Sequence, residues 1–291
     1  MAFDGAVMDL GFGHKTVSGK VTGSGGRTAE GLQLDARVAL DRVLVGQREM
    51  TEVTGQLIKP AGNSRMRIND LLAKAYGGRL YGLAEVQLSE PLEYALSVSV
   101  EGVKLEGLVA AGRRVTDDEQ DESEIAGTLA GKLEYRATAG RPDSRQAAGR
   151  LRITDGKLYR LPVPLELLYV VTLTLPGEGA FTEGDVQYEL HGQELTFREI
   201  HLHGPALSVV GSGQMNMGTE RLRLNFLAGP PGKVPRIAAE LDELLRPIAR
   251  ELVEIRIEGT LSNPGEPRTV AFGSLQDAIN RLLNPESGSE P

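Results

Sequence analysis

The stretch LYGLAEVQL, residues 80–88, has an apolar residue or a glycine at every second position: Leu80, Gly82, Ala84, Val86 and Leu88. In a β-strand, the side chains at i, i+2 and i+4 lie on the same face of the sheet. This spacing therefore predicts a strand with one apolar face. What covers such a face decides both the fold and the function.

Alternation of this kind continues from about residue 32 to residue 261 and predicts many strands. Glu90-Pro91 and paired glycines mark turns between them, and Gly23–Gly26 is expected to form a loop. The predicted strands are 15–22, 32–46, 50–59, 64–70, 79–89, 92–103, 124–138, 146–154, 157–160, 180–190, 194–203, 206–217, 220–228 and 254–261.

Helical patterns are few. Short helices are expected at Leu105–Ala111 and after Ser274, which caps the last apolar stripe. Residues 161–175 predict a buried helix, with a strand as the alternative. Residues 235–252 have a helical period that Pro247 should kink; this segment is either a packing helix or a gate at the mouth of a groove.

The fold class follows from the balance of these elements. With little helix, 4% aromatic residues and no Trp, the apolar strand faces cannot all be packed into a dense core. We therefore expect a mainly β fold: a large antiparallel, twisted sheet curled into a half-open apolar groove, with a few short capping helices. The expected organisation is a Gly-rich segment with one strand (1–31), a β-groove (32–284) and a disordered tail (285–291), the groove comprising sub-blocks 32–115 and 124–273, an acidic loop 116–123 and a closing helix 274–284.

Composition excludes several function classes. The net charge of −8 argues against a nucleic-acid partner, since phosphate binding needs clustered Lys and Arg. The absence of cysteine excludes disulfides, thiol catalysis and Cys-based zinc sites. The acidic loop 116–123 is expected to be solvated, because it lacks the spacing of a calcium-binding loop.

Catalytic and cofactor motifs are not found in the sequence, so we expect no enzyme activity and no cofactor. The one pattern with metal-ligand spacing is His201-x-His203, with His191 ten residues earlier. Ile200 and Leu202 alternate with this pair, which places both histidines on the polar face of the strand. We therefore expect no metal site.

Three segments carry a family resemblance: ITDGKL (153–158), LHGPALSVVGSG (202–213) and IEGTLSNP (257–264). Their order and spacing resemble the C-terminal region of AsmA-like proteins, the envelope family that includes the TamB-type proteins. The resemblance implies a long antiparallel sheet whose apolar groove carries lipid acyl chains across the periplasm. It also implies an N-terminal inner-membrane anchor, which is not seen here, so the chain is expected to be soluble as given and a C-terminal piece of a longer protein.

The function expected from this resemblance is non-enzymatic phospholipid transport between the inner and outer membranes of a bacterial envelope. Phospholipid or another acyl lipid is the expected partner, with membrane contact through the missing anchor and with other envelope proteins as possible partners. The alternative is a structural scaffold or assembly factor for outer-membrane biogenesis, which acts by protein–protein contact. In the transport function, acyl chains are expected to lie along the apolar face and head groups at the open rim.

The candidate groove lining follows from alternation, with a β-bulge expected where the apolar positions shift from Leu40 to Val43 and Val45. One group is expected to line the groove directly: Val38, Leu40, Ala84, Val86, Leu96 and Val98. A second group lines it only where the strands are in register: Leu129, Leu133, Leu207, Val209, Leu222 and Leu224.

Overall fold

The protein is described by a computed structural model. The described residues are 2–9, 14–45, 48–111, 126–157, 181–205, 207–231, 234, 252–261, 268–270 and 275–283. The expected helices at 161–175 and 235–252, the acidic loop 116–123 and the tail 285–291 lie outside these residues.

The described part of the chain is mainly β, as predicted. The strands are β1 (Ala2–Asp9), β2 (His14–Thr28), β3 (Gly31–Val45), β4 (Arg48–Lys59), β5 (Arg65–Ala75), β6 (Gly78–Gln87), β7 (Glu93–Lys104), β8 (Ala126–Thr138), β9 (Arg141–Lys157), β10 (Glu183–His191), β11 (Glu194–His203), β12 (Ser208–Asn216), β13 (Arg221–Gly229), β14 (Val253–Thr260) and β15 (Arg268–Val270). Two short helices are described, α1 (Leu105–Ala110) and α2 (Leu275–Leu283).

The strand order follows the chain from β1 to β15, and every pair whose register is described is antiparallel. The first and last strands are not paired with each other, so the sheet is not closed. The chain forms two compact units. Unit 1 contains Met1–Glu119 and Leu129–Ala147, and unit 2 contains Gln120–Thr128 and Ala148–Pro291.

Several predicted boundaries differ from the structure. The glycines at 23–26 lie inside β2 rather than in a loop, and the first 31 residues contain two strands rather than one. The predicted break between 154 and 157 is absent, because β9 continues to Lys157. The short strand β15 was not predicted. Alternation cannot identify a strand of three residues, and it misses strands whose inward positions are glycine.

The two units bury their apolar residues differently. In unit 2, the neighbours Val209 and Val210 point to opposite faces of the sheet, and both are fully buried. In unit 1, one face is half-buried and the other is largely exposed. The apolar face of unit 1 is therefore the candidate functional surface.

Candidate functional site

The apolar face of unit 1 is a set of inward-pointing residues that strand register brings into rows. Directly opposed residues of an antiparallel pair lie on the same face. One row crosses six strands through successive pairings: Gly23, Ala36, Leu57, Ile68, Ala84 and Leu96. Neighbouring rows contain the other predicted residues of these strands, among them Val38, Leu40, Val86 and Val98.

β-Bulges, among them one in β3 and one in β5, keep this face apolar where the alternation changes phase. The pairing of β2 with β3 shifts so that Asp41 is extra, which confirms the bulge predicted after Leu40. In β5 the register shifts between Ile68 and Leu71, and Asp70 there has a φ of 51°. Asp tolerates this left-handed conformation better than most residues. Each bulge inserts one residue, so the next apolar side chains return to the same face.

The apolar face is partly open to solvent. Val38, Leu96 and Val98 are half-buried, and buried positions such as Ala36 (3% exposed) are scattered among them. The described helix of this unit, α1, has six residues and contacts the end of β7, so it cannot cover a face that extends from β2 to β8. Among the described residues, therefore, no layer covers this apolar surface.

Glycines let neighbouring strands approach closely on this face. A Cβ added at Gly82 would overlap the backbone carbonyl oxygen of Ser97 on β7, and one at Gly23 would overlap the backbone of Ala36 on β3. In a regular pair the opposed Cβ atoms are ~4.5–5.5 Å apart, so these positions are close strand approaches that only glycine permits.

The opposite face of unit 1 is polar and carries paired charges. Arg67 Nε lies 2.7 Å from Glu85 Oε2, and Lys74 Nζ lies 2.7 Å from Glu52 Oε2. Such exposed pairs contribute at most about 1 kcal/mol each to stability, and they keep this face hydrated. This face of unit 1 therefore favours water, whereas the opposite face favours apolar surroundings.

The second group of predicted lining residues lies mostly in a different environment. Leu133 is half-buried in β8, in alternation with Lys132 and Glu134, whereas Leu129 is buried. The remaining four, in unit 2, are at most 6% exposed: Leu207, Val209, Leu222 and Leu224. In the described structure these four form part of a packed core and do not line an open surface.

Unit 2 has a helix-covered core. α2 packs on β12 and β13, and the Ser212 hydroxyl donates a 2.7 Å hydrogen bond to the carbonyl oxygen of Leu282. Arg281 on α2 forms a bidentate pair with Glu254 on β14, with both N–O distances 2.7 Å. This pairing raises the pKa of the Arg281 guanidinium, chiefly through the hydrogen bonds to Glu254. The pair anchors the helix to the sheet.

The histidines do not form a metal centre in the part of the chain that the structure describes. His203 Nδ1 lies 2.8 Å from the Ser208 hydroxyl, across the β11–β12 pair. His201 is opposite Asp185, which is 3% exposed and forms a bidentate pair with Arg150. His201 is therefore half-buried beside an ion pair, whereas the sequence predicted a solvated side chain.

Several polar residues lie on the apolar face outside the predicted lining, among them Lys59, Tyr94, Tyr135 and Arg145. Lys59 is opposite Leu34 and only 8% exposed, and its Nζ donates a 2.7 Å hydrogen bond to the carbonyl oxygen of Leu32. The Tyr94 and Tyr135 ring centroids are 6.0 Å apart. Burial, with a smaller effect from the hydrogen bond to Tyr135, raises the pKa of Tyr94 to about 12. The available signal was that Lys59 continues the alternation of Val53, Gly55 and Leu57.

Among the described residues, no helix has both the length and the apolar character needed to cross a membrane. A comparison of the chain with protein-family models, with curated proteins and with solved structures finds no match.

Proposed function

We propose that this chain is a non-enzymatic lipid-handling protein of the bacterial cell envelope. The apolar face of unit 1 shields acyl chains during phospholipid transport between the inner and outer membranes. The observation that carries this proposal is the row from Gly23 to Leu96, an apolar surface across six strands that is half-buried and has no described helix over it.

Physical chemistry favours an apolar occupant for such a surface. A contiguous apolar patch on a sheet promotes aggregation unless something covers it. Acyl chains are suitable because each buried CH₂ group contributes about 0.8 kcal/mol.

The cellular setting is part of the same proposal. On the resemblance to AsmA-like proteins, we propose that the protein works on the periplasmic side of the cell envelope. Acyl chains would lie along the apolar face and head groups would stay in water at the strand ends.

Site-specific photo-crosslinking tests the proposal with adjacent residues. Val86 is opposite Met66 and Tyr94 on the apolar face, and Gln87 is opposite Arg65 and Glu93 on the other face. A photoreactive residue at Val86 should capture phospholipid, and one at Gln87 should not. The pair Leu133 and Glu134 repeats the comparison on β8. Equal lipid labelling on both faces would contradict the proposal.

A scaffold for outer-membrane biogenesis is the second candidate, and exposed apolar residues on the polar face of unit 1 favour it. Leu72 (53% exposed) is directly opposite Tyr81, and Leu83 (46% exposed) follows on the same face. If the protein acts as a scaffold, Leu72→Lys with Leu83→Lys should abolish outer-membrane protein assembly while lipid crosslinking at Val86 persists. That result would favour the scaffold function.

A further inference from the structure

Two arginines lie directly opposite each other on the last two strands of unit 2. Arg256 on β14 pairs in register with Arg268 on β15, so both side chains lie on one face of the sheet. The Cβ atoms of such a pair are ~4.5–5.5 Å apart, and like charges at opposed positions destabilise a sheet. A second group of opposite charge between the two side chains would remove this cost.

Charges at comparable positions of the sheet are compensated within the protein. Arg223 is opposite Glu258, and its Nε lies 3.1 Å from Glu258 Oε1. Two cations also face each other in unit 1, Lys74 and Arg79, but there Glu52 Oε2 lies 2.7 Å from the Lys74 ammonium. In the part of the chain that the structure describes, neither arginine of the opposed pair in unit 2 has a carboxylate partner.

The carboxylates next to Arg256 on the same face are already engaged. They are Glu254 and Glu258, two residues to either side of it; Glu254 forms the bidentate pair with Arg281, and Glu258 forms the pair described above. Strands β12 to β15 and α2 together contain five arginines and three carboxylates, although the whole chain has a net charge of −8. This face of unit 2 is therefore locally short of negative charge.

Asn225 orients the Arg256 side chain. The two residues are opposite each other on β13 and β14, and Asn225 Oδ1 accepts a 3.1 Å hydrogen bond from Arg256 Nε. Asn225 is only 8% exposed, so its amide is held in place. The bond occupies Nε and leaves the two terminal nitrogens of the guanidinium without a described protein acceptor. A guanidinium fixed in this way is preorganised to bind an oxyanion through its terminal N–H groups.

We propose that Arg256 and Arg268 form a binding site for a phosphate dianion, either inorganic phosphate or a phosphate monoester. Two guanidinium groups supply two positive charges and several N–H donors, which match a phosphate that carries about −1.5 to −2 charges at pH 7. The anion takes the place of the missing carboxylate and relieves the repulsion between the two side chains. The site lies in unit 2 and does not involve the apolar face of unit 1, so it is independent of the proposed function.

Thermal unfolding and calorimetric titration of the full chain test this site. Inorganic phosphate represents a free anion, and dihexanoyl phosphatidic acid represents a lipid head group of the same chemistry. The melting temperature of the wild type should rise with phosphate concentration at constant ionic strength and then level off, since a ligand that binds only the folded state stabilises it. Tighter binding of phosphatidic acid at the arginine pair would identify a lipid head group as the ligand, and equal or tighter binding of inorganic phosphate would identify a free anion.

Substitutions separate the arginine pair from other cations. Arg256→Gln and Arg268→Gln should each weaken binding of both probes at this site about tenfold. Arg268→Glu should abolish phosphate binding, because its carboxylate occupies the place of the anion, and it should be more stable than the wild type in phosphate-free buffer. The matched control is Arg198→Gln, which removes one charge elsewhere in unit 2, where Arg198 pairs with Glu189 at 2.9 Å. This control should keep the phosphate affinity, and circular dichroism should show that all variants are folded.

Three results would overturn the phosphate site. The first is a wild-type melting temperature that does not respond to phosphate. The second is an equal loss of affinity in Arg198→Gln, which would show a nonspecific effect of net charge. The third is an Arg268→Gln variant that melts lower than the wild type by the same amount with and without phosphate, which would show that Arg268 has only a structural role. Because the proposed function concerns acyl chains on unit 1, each of these results leaves it standing.

Discussion

A carboxylate placed on the apolar face of unit 1 should affect the protein differently from one placed in the core of unit 2. Leu96 is half-buried opposite Ala84, whereas Val209 is fully buried opposite Leu202 and Ala228. Leu96→Asp tests the partly open surface, and Val209→Asp tests a closed one. Ser97→Asp, one residue further along β7 and on the other face, is the control.

The expected magnitudes follow from burial. Full burial of a leucine side chain is worth about 1.5–3 kcal/mol, so half-burial at Leu96 gives a loss of about 1–1.5 kcal/mol if the new carboxylate reaches water. For a chain of this size that corresponds to a fall in Tm of roughly 2–6 °C. Val209→Asp loses a full burial and leaves an unpaired buried charge, together about 5 kcal/mol or more.

The assay combines thermal unfolding by circular dichroism with binding of an acyl probe. Leu96→Asp should remain folded and lose most acyl binding, Val209→Asp should fail to fold or unfold far below the wild type, and Ser97→Asp should resemble the wild type in both measurements. Unfolding of Leu96→Asp as severe as that of Val209→Asp would refute a partly open apolar face. In that case the face of unit 1 is a sealed core.

Three further predictions test separate parts of the structure. Gly82→Val should destabilise unit 1 strongly, since its Cβ would overlap the Ser97 carbonyl oxygen. The control is Gly26→Val, where a Cβ meets nothing within 4 Å, and equal urea unfolding of the two variants would show that β6 and β7 do not approach closely at Gly82. Glu254→Ala should cost about 3 kcal/mol, because it leaves Arg281 without its buried partner. The control is Glu189→Ala, which removes the exposed Arg198–Glu189 pair (2.9 Å) and should lower the free energy of unfolding by at most about 1 kcal/mol. Equal losses from the two variants in denaturant unfolding would count against the anchoring of α2. His201→Ala with His203→Ala should leave the metal content unchanged by elemental analysis, and a stoichiometric metal lost in the double variant would reveal a site.

Much of the strand pattern could be predicted because alternation reports directly on which face a side chain occupies. The shift from Leu40 to Val43 predicted the bulge at Asp41, since one inserted residue changes the parity of all that follow. The strand at Gly23–Gly26 could not be predicted in this way. Glycine is the usual turn residue, and its role beside Ala36, a close strand approach, depends on a partner 13 positions away.

The sequence pattern also could not predict that the apolar faces of the two units differ in burial. Leu96 and Leu224 alternate in the same way, yet one is half-buried and the other is 4% exposed. Alternation identifies an apolar face and carries no information on what covers it, which is a tertiary property. Lys59 and Arg145 were missed for a related reason: a single charged residue at the end of an apolar series resembles the solvated end of a strand.

Native mass spectrometry of the purified chain tests the central claim most directly. Wild-type protein should carry bound acyl lipid, or take it up when phosphatidylglycerol is added after delipidation, with a mass shift of one or more lipid molecules. Leu96→Asp should lose these adducts, and Ser97→Asp should keep them. A folded wild-type chain that shows no lipid adduct under either condition, or adducts that persist equally in Leu96→Asp, would contradict lipid binding on the apolar face of unit 1.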